Sequence, residues 1–431
     1  MLYVHTPPRK ATAPSMRSSP RASVPTALKL MTVAIFLPDE LAFRLGGLLL
    51  SPLRLILMVL TPVVLSRFAR LMRNGQYRFV FSDLFVPLTG VWIIWSLMHS
   101  ETVQDAINQG GLVVLEFCVT YIATRTLLSD GRQAIAFIGF LCSVIAIVGL
   151  LGAMDTVSHR YFTHELMRSL LGGAPIEDAG SRLGLLRATS TLEHPILLGF
   201  VCSVGLLLAA SVPIRARLFA VSCCFLGMLL ALSAGPIQTA VIGFGLLAYN
   251  RVLSGIQFRW GVLIALGIAG ITILFVTVDN PFGFVFNHLT FDAQSAYYRI
   301  YIWTVAGAAV SDSPIWGWGF VLPAIYDVPR TVDSVWLLWS LIYGIPGAVL
   351  LALSITSSAS LPTTGRNVHL TVAESKLGTT LGIQVFLILF LGFTVDYFGN
   401  GSTLIPLLIG VRARLGELGK TASADFVRSN S

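Results

Sequence analysis

Long, uninterrupted apolar segments are the feature that most constrains the fold of this 431-residue chain. A representative segment, GLVVLEFCVTYIAT at residues 111–124, contains a single charged residue. A helix needs about 20 mostly apolar residues to cross a bilayer, and in lipid every backbone hydrogen bond must be made internally. A membrane barrel would instead show ten-residue stretches of alternating polarity. We therefore expect an all-α polytopic membrane protein.

Twelve apolar segments predict about 12 transmembrane helices within a transmembrane domain at residues 27–412. Only 12% of the residues are charged, against roughly 25% in soluble domains. Residues 1–26 are rich in Pro, Ser, Thr and Arg and are expected to form a disordered tail, and residues 413–431 a second tail. The first apolar segment lies between Ala27 and Pro38, and the others lie at about 46–66, 83–98, 108–128, 133–153, 195–212, 216–233, 236–250, 260–278, 332–357, 379–396 and 403–411.

The basic residues follow the positive-inside rule when the connections are taken alternately. All but eight of the 29 Lys and Arg residues lie in the tails and on one set of connections, so both termini are expected in the cytoplasm. The chain carries a net charge of +8, but its basic residues do not form a stripe interleaved with exposed aromatic residues. Nucleic acid is therefore not an expected partner. The five cysteines lie in apolar segments, which disfavours disulfides and metal binding. The eight exceptions are Arg44, Arg54, Arg160, Arg168, Arg182, Arg187, Arg299 and Arg330.

Six of these eight arginines fall in two long loops on the outer side, at about 154–194 and 279–331. Long connections between spans usually carry function, and the Trp, Gly and Pro residues here indicate ordered structure near the membrane. The cytoplasmic connections are too short for a catalytic domain. We therefore expect the functional site in the first and second long loops.

The first long loop ends in the sequence RATSTLEHPILLG, which begins at Arg187. This sequence places a guanidinium, the carboxylate of Glu193 and the imidazole of His194 at the start of a helix, where the N-terminus itself favours an anion. Such a site suits a phosphate. An alternative interpretation is that Thr189 or Ser190 caps the helix while Arg187 and Glu193 form a solvated ion pair.

The second long loop places Arg299 among aromatic residues on an amphipathic segment. Tyr298 and Trp303 flank this arginine, and such rings anchor at headgroup depth or stack on sugars. A Pro-x-x-Gly-x-Gly turn containing Trp318 follows, and it either approaches a ligand through its backbone or belongs to an interfacial aromatic belt. Asp333 then opens the next apolar segment, either as a helix cap or as the base of a reaction.

Two charged residues inside apolar segments, Arg54 and Glu116, are costly in lipid and are expected to face the bundle interior, where they can pair with each other. The sequence contains no Walker loop, no GxGxxG after a strand, no HExxH, no GxSxG and no Asp-x-Asp pair on an outer loop. An ATP-driven pump and a metal-dependent glycosyltransferase therefore have no support.

Three motifs, in this order and topology, resemble the signatures of the O-antigen ligase and polymerase superfamily, most closely its ExoQ-like exopolysaccharide polymerases. The likeness extends over most of residues 30–412. In the first motif, Ser190 stands at a position usually written as Gly or Ser and Leu192 at an aromatic or aliphatic one. The matching positions are Arg187, His194, Pro195 and Gly199 in the first motif, Arg299, Trp303, Pro314, Gly317 and Gly319 in the second, and Asp333, Ser334, Trp336, Leu337, Gly344 and Gly347 in the third.

This resemblance implies a GT-C-like glycosyltransferase in the bacterial inner membrane, which transfers a glycan from undecaprenyl diphosphate to an acceptor sugar at the periplasmic face. Neither a metal nor another cofactor is expected. The expected partners are an undecaprenyl-diphosphate-linked oligosaccharide, the lipid bilayer, a chain-length regulator and export machinery.

Glycosyl transfer from a lipid diphosphate needs cations for the leaving group and a base for the acceptor hydroxyl. Arginine suits the first task because it stays charged and binds phosphate oxygens bidentately. We assign Arg187 and Arg299 to the diphosphate. The candidates for the base are Asp333, Glu193 and His194, and those for positioning a sugar or the loop are Tyr298, Trp303 and Trp318.

Ligases of this superfamily carry a required His near the start of the span after the second long loop, where this chain has Asp333. This departure favours polymerisation over ligation of the glycan to a different acceptor. A non-enzymatic transporter of lipid-linked sugars or other solutes is a third alternative. It would place its polar residues at mid-membrane on broken helices, whereas this sequence concentrates them in the two long loops.

Overall fold

The computed structural model describes residues 23–172, 178–279, 293–322, 332–365, 370–397 and 399–429, together with Ile176, Pro281, Gly283, Phe284 and Val368. Most of the tail predicted at residues 1–26, parts of the second long loop and Arg330 lie outside the described residues.

The described chain is built almost entirely of α-helices, which we number in chain order. Two short antiparallel hairpins pair β1 (Phe43–Leu45) with β2 (Leu48–Leu50) and β3 (Ser181–Arg182) with β4 (Leu185–Leu186). The helices are α1 (Thr26–Ile35), α2 (Pro52–Arg73), α3 (Ser82–Ser100), α4 (Val103–Leu127), α5 (Gly131–Ser158), α6 (Phe162–Leu171), α7 (Pro195–Ser211), α8 (Arg217–Leu230), α9 (Ala234–Val252), α10 (Arg259–Thr277), α11 (Ala293–Asp312), α12 (Val335–Ser357), α13 (Val372–Leu391) and α14 (Leu404–Ser429).

Six of the described helices, α2, α4, α5, α10, α12 and α13, are long and apolar enough to cross a membrane. Three shorter apolar helices, α1, α7 and α8, accompany them. The protein is therefore an all-α polytopic membrane protein. This confirms the fold class predicted from the apolar segments.

Local sequence signals explain where several of these helices begin. The Ser51 hydroxyl accepts a hydrogen bond from the backbone N–H of Arg54 at 3.3 Å, and Pro52 occupies the first helical position of α2. Thr371 and Glu374 form a reciprocal capping box at the start of α13. Each cap satisfies backbone donors that the first helical turn leaves open.

The core of the bundle is centred on α7, in which nearly every residue is buried. This helix packs against α5, α8 and α9. A helix that is apolar on all sides belongs inside a bundle or in lipid. By contrast, α10 has no fully buried residue, and most of its apolar surface is exposed, with Trp260 packed against the rest of the bundle.

Buried ion pairs connect helices that are distant in sequence. Arg54 and Glu116 form the expected pair, with Nε 2.7 Å from Oε1. A second pairing was not anticipated: the fully buried Arg125 donates to both Asp83 and Glu417. Because Glu417 lies on α14, which continues through the predicted boundary at residue 412, the packed bundle extends into the segment expected to be a tail.

Helix α12 is broken at Gly344, whose φ of 74° and ψ of 169° interrupt the helix. The Pro-x-x-Gly-x-Gly turn packs into this break and satisfies the backbone groups that it opens. The close approach that the turn makes in this structure is to the chain's own backbone in α12. Three backbone hydrogen bonds make the contact: Trp318 N–H to Leu341 C=O at 2.6 Å, Gly319 N–H to Ile342 C=O at 3.1 Å, and Ile345 N–H to Pro314 C=O at 2.8 Å.

Candidate functional site

The loop that carries Arg187 is held by Asp155, a fully buried residue near the end of α5. Its Oδ2 accepts the backbone N–H groups of Thr189 and Ser190 at 3.1 and 2.7 Å, and its Oδ1 accepts that of Phe162 at 3.0 Å. Thr189 and Ser190 are therefore bound to α5. The alternative in which either of them caps the following helix is wrong.

Ser190 adopts a left-handed backbone conformation, with φ of 62°. Glycine adopts this conformation without steric cost, and other residues need compensating contacts. Here the Ser190 hydroxyl donates to the Val148 carbonyl at 2.7 Å, in addition to the backbone bond to Asp155. The motif position usually written as Gly or Ser is thus one at which the backbone favours glycine.

His194 caps α7, because its Nδ1 accepts the backbone N–H of Ile196 at 3.2 Å. Burial, and then the positive charge of Arg187, lower the pKa of His194 to about 4, so the ring is neutral at pH 7. A neutral ring whose Nδ1 accepts carries its proton on Nε2. In this arrangement His194 is a helix cap and a donor, and it is a poor base.

Arg187 is buried and has weak partners in the described part of the chain. Its Nε and Nη1 contact the carbonyl oxygens of Ala231 and Ala179, each at 3.4 Å. No ion pair joins it to Glu193 among the described residues, so the predicted solvated pair is wrong. Burial, followed by the charge of Arg182, lowers the pKa of Arg187 to about 10, which leaves it positively charged at pH 7.

Arg299 lies on α11 and is 9% exposed. Within the described residues its Nε has no hydrogen-bond partner. Burial lowers the pKa of Arg299, and the charge of Asp333 opposes this effect. The buried guanidinium therefore faces a carboxylate from the element against which α11 packs, since Asp333 immediately precedes the N-cap residue of α12.

Asp333 does not cap α12, because Ser334 has that role. The Ser334 hydroxyl accepts the Leu337 N–H at 3.4 Å and donates to the Gly392 carbonyl at 3.1 Å. Burial raises the pKa of Asp333, and the charges of Arg299 and Arg187 lower it in part. The carboxylate is thus within electrostatic range of both arginines, although no nitrogen–oxygen contact within 4.0 Å joins these three described residues.

Glu193 lies beside other carboxyl groups. A hydrogen bond with Asp39, then burial and the charges of Asp39 and Asp396, raise the pKa of Glu193 to about 9. The Glu193 side chain is exposed and interacts with a second carboxyl, whereas Asp333 lies within electrostatic range of both arginines assigned to the diphosphate. Asp333 is therefore the strongest of the three candidates for the base.

The aromatic candidates have different environments. Tyr298 is 38% exposed beside Arg299. The Trp303 indole N–H donates to the Phe393 carbonyl at 3.4 Å, and its ring stacks on that of Phe393. The Trp318 indole N–H donates to the Ala309 carbonyl at 2.8 Å, which ties the turn to α11. These contacts make Trp318 a residue that positions the loop.

Two charged residues near the site were not singled out from sequence. Arg182 lies within electrostatic range of both Arg187 and Arg299, and it precedes Arg187 by five residues in the first long loop. Burial, with a contribution from Asp333, raises the pKa of Asp396 to about 7. The signal for Asp396 was a carboxylate at the end of an apolar segment, since charged residues in such segments are usually functional.

No protein-family model matches the chain, and no curated protein matches it. The resemblance to the O-antigen ligase and polymerase superfamily therefore stays a prediction from three motifs. Among the residues that the structure describes, no cluster of three or more His, Cys, Asp or Glu side chains is placed to hold a metal ion.

Proposed function

We propose that the protein is a polysaccharide polymerase, which transfers a glycan from undecaprenyl diphosphate to the acceptor sugar of another lipid-linked unit. One observation carries this proposal: Arg187 and Arg299, from two separate segments, are both buried, and neither forms an ion pair with a carboxylate among the described residues. Two such guanidinium groups are suited to a diphosphate, which they can bind bidentately.

The proposed reaction is a direct displacement at the sugar carbon bonded to the diphosphate. The acceptor hydroxyl gives its proton to Asp333 as its oxygen forms the new carbon–oxygen bond. The bond to the diphosphate oxygen breaks, and undecaprenyl diphosphate leaves with the electron pair. Arg187 and Arg299 stabilise the negative charge that develops on it. Inversion at the sugar carbon is the expected stereochemistry.

The finer topology belongs to the same proposal. We propose about 12 spans in a GT-C-like arrangement in the bacterial inner membrane, with both termini in the cytoplasm and the site at the periplasmic face. The nine apolar helices and the distribution of Lys and Arg residues support this arrangement. A chain-length regulator and export machinery are the proposed protein partners.

The decisive experiment is elongation by the purified full-length chain in liposomes that contain a lipid-diphosphate oligosaccharide. Arg187→Ala and Arg299→Ala should each lower the elongation rate by about 10²- to 10³-fold, as the loss of one preorganised donor to developing charge typically does. Asp333→Asn should be similarly impaired. Arg44→Ala is the matched control, because Arg44 lies exposed on β1. Unchanged elongation in both arginine variants would refute the site.

A transporter is the second candidate, because the break in α12 is the kind of discontinuity on which transporters bind solutes. In this chain, however, backbone groups at the break bond to the turn at 314–319. The same liposomes separate the two functions, since a transporter moves its cargo without lengthening the glycan. A ligase is distinguished by product, because it transfers finished glycan to an acceptor other than a lipid-linked repeat unit.

A further inference from the structure

A second polar site lies beside the arginines, in the first long loop. We call it the glycan cavity; it has a volume of about 300 Å³. Ligand sites commonly begin at about this size. It is bounded by the short helical turn Asp39–Leu41, by α6 and by the segment that leads into β3 and β4. Its charged and aromatic lining residues are Glu40, Arg160, Tyr161, Glu165, Arg168 and Asp178, with His159 and His164 beside them.

One wall of the glycan cavity also supports Arg187. The Tyr161 hydroxyl donates to Asp178 Oδ1 at 3.0 Å and accepts the Ala179 N–H at 3.1 Å. The carbonyl of Ala179 in turn accepts from Arg187 Nη1, and Leu186, which lines the cavity, directly precedes Arg187. A molecule in the glycan cavity is therefore adjacent to the guanidinium assigned to the diphosphate.

Glu40 in the wall of the glycan cavity is held by His164. Its Oε1 bonds to His164 Nδ1 at 2.7 Å. Its Oε2 is buried behind the wall and has no hydrogen-bond partner among the described residues. The open carboxylates of the wall are those of Glu165 and Asp178, which are exposed.

The described residues around the glycan cavity offer both donors and acceptors. Arg160 and Arg168 supply guanidinium donors, and Glu165 and Asp178 supply carboxylates. His164 bonds through Nδ1 to Glu40 and through Nε2 to the Leu192 carbonyl at 3.0 Å. A cavity that offers donors, acceptors and an aromatic ring suits a hydroxyl-rich molecule.

We propose that the glycan cavity binds a sugar residue of the donor glycan, near the diphosphate held by Arg187. The identity of the glycan rests on the proposed function. The cavity thereby selects the repeat unit, whereas the arginines recognise only the diphosphate that all such donors share. Arg160 and Arg168 donate to sugar hydroxyls, and the exposed Glu165 carboxylate accepts from one.

Two measurements on the full-length protein test this site. The first is steady-state elongation by the double variant Arg160→Ala/Arg168→Ala, whose side chains are exposed and are not expected to affect folding. Its KM for the lipid-linked oligosaccharide should rise about tenfold or more with kcat nearly unchanged, as the loss of charge-assisted hydrogen bonds predicts. Arg44→Ala, an exposed arginine that does not line the cavity, should leave both constants unchanged. An unchanged KM in the double variant would overturn the proposal.

The second measurement is direct binding, which does not depend on turnover. The probe is the oligosaccharide released by mild acid from the same lipid-linked donor, so it has neither lipid nor diphosphate, and binding is detected by saturation-transfer NMR. The wild type should bind it, and Glu165→Gln and the double variant should bind at least tenfold more weakly. Equal binding by all variants, or none by the wild type, overturns the glycan cavity. Cavity-dependent binding without elongation would instead refute only the proposed polymerase.

Discussion

Asp155 is the side chain on which the position of Arg187 depends most directly. Two N–H groups bond to its Oδ2 and one to its Oδ1, all in a fully buried setting. In Asp155→Asn an amide nitrogen replaces one carboxylate oxygen. In the less costly amide orientation the remaining oxygen stays at the Oδ2 position, so only the Phe162 N–H loses its acceptor. A buried unsatisfied donor costs about 1–3 kcal/mol, which is the expected loss of stability for this variant. Asp155→Ala leaves all three N–H donors without an acceptor and should lower the free energy of unfolding by about 3 kcal/mol or more.

The assay is unfolding in mixed micelles followed by circular dichroism, with elongation measured on the same preparations. Asp105→Asn is the matched control, because the Asp105 carboxylate is exposed and bonds to the Thr102 hydroxyl at 2.6 Å. Its stability should change by no more than about 0.5 kcal/mol. If Asp155→Ala unfolded at the same point as this control and still elongated glycan, the anchoring of the Arg187 loop by Asp155 would be refuted.

Three further predictions concern backbone conformation and protonation. Gly344→Ala should destabilise the protein by about 2 kcal/mol or more, because φ at this position is positive and a Cβ would lie 1.9 Å from the Ile315 oxygen. The control is Gly261→Ala on α10, where a Cβ would meet open space and the change should be nearly neutral. Thermal unfolding measures both. Ser190→Gly should be tolerated, whereas Ser190→Val should cost about 2 kcal/mol in the same assay, since valine is strained at φ of 62°. Burial lowers the pKa of His164, but its hydrogen bond to the Glu40 carboxylate outweighs burial, so the net shift of the pKa is upward. The stabilisation of the fold by the charged ring is therefore complete below about pH 6.5 and is lost as the pH rises through the folded-state pKa. His164→Gln should remove that part of the pH dependence of Tm.

The membrane helices could be predicted from the sequence because hydropathy along the chain is enough to identify them. A continuous apolar segment such as GLVVLEFCVTYIAT must be helical in lipid, whatever lies beside it. The pairing of Arg54 with Glu116 was accessible for the same reason, since each charge in an apolar segment needs a partner. The salt bridge from Arg125 to Glu417 was not, because Arg125 stands at the end of its segment, where a basic residue is ordinarily assigned to a connection.

The chemistry of the site depended on contacts that sequence spacing does not encode. Sequence named Arg187, Arg299 and Asp333 as candidates, but spacing cannot show that Ser334 takes the cap and leaves Asp333 facing the two arginines. Nor does it show that Glu193 interacts with the carboxyl group of Asp39, which comes from a segment far away in the chain.

Sequence by itself determined the class of the molecule and the residue types available for its chemistry. Both follow from the composition and hydropathy of successive residues, which act locally through the backbone and the solvent. Only the tertiary structure decided which carboxyl groups lie beside one another, which turn fills the break in α12 and which polar groups surround the glycan cavity. These depend on burial and on partners from distant segments, because desolvation and hydrogen bonding act through space rather than along the chain.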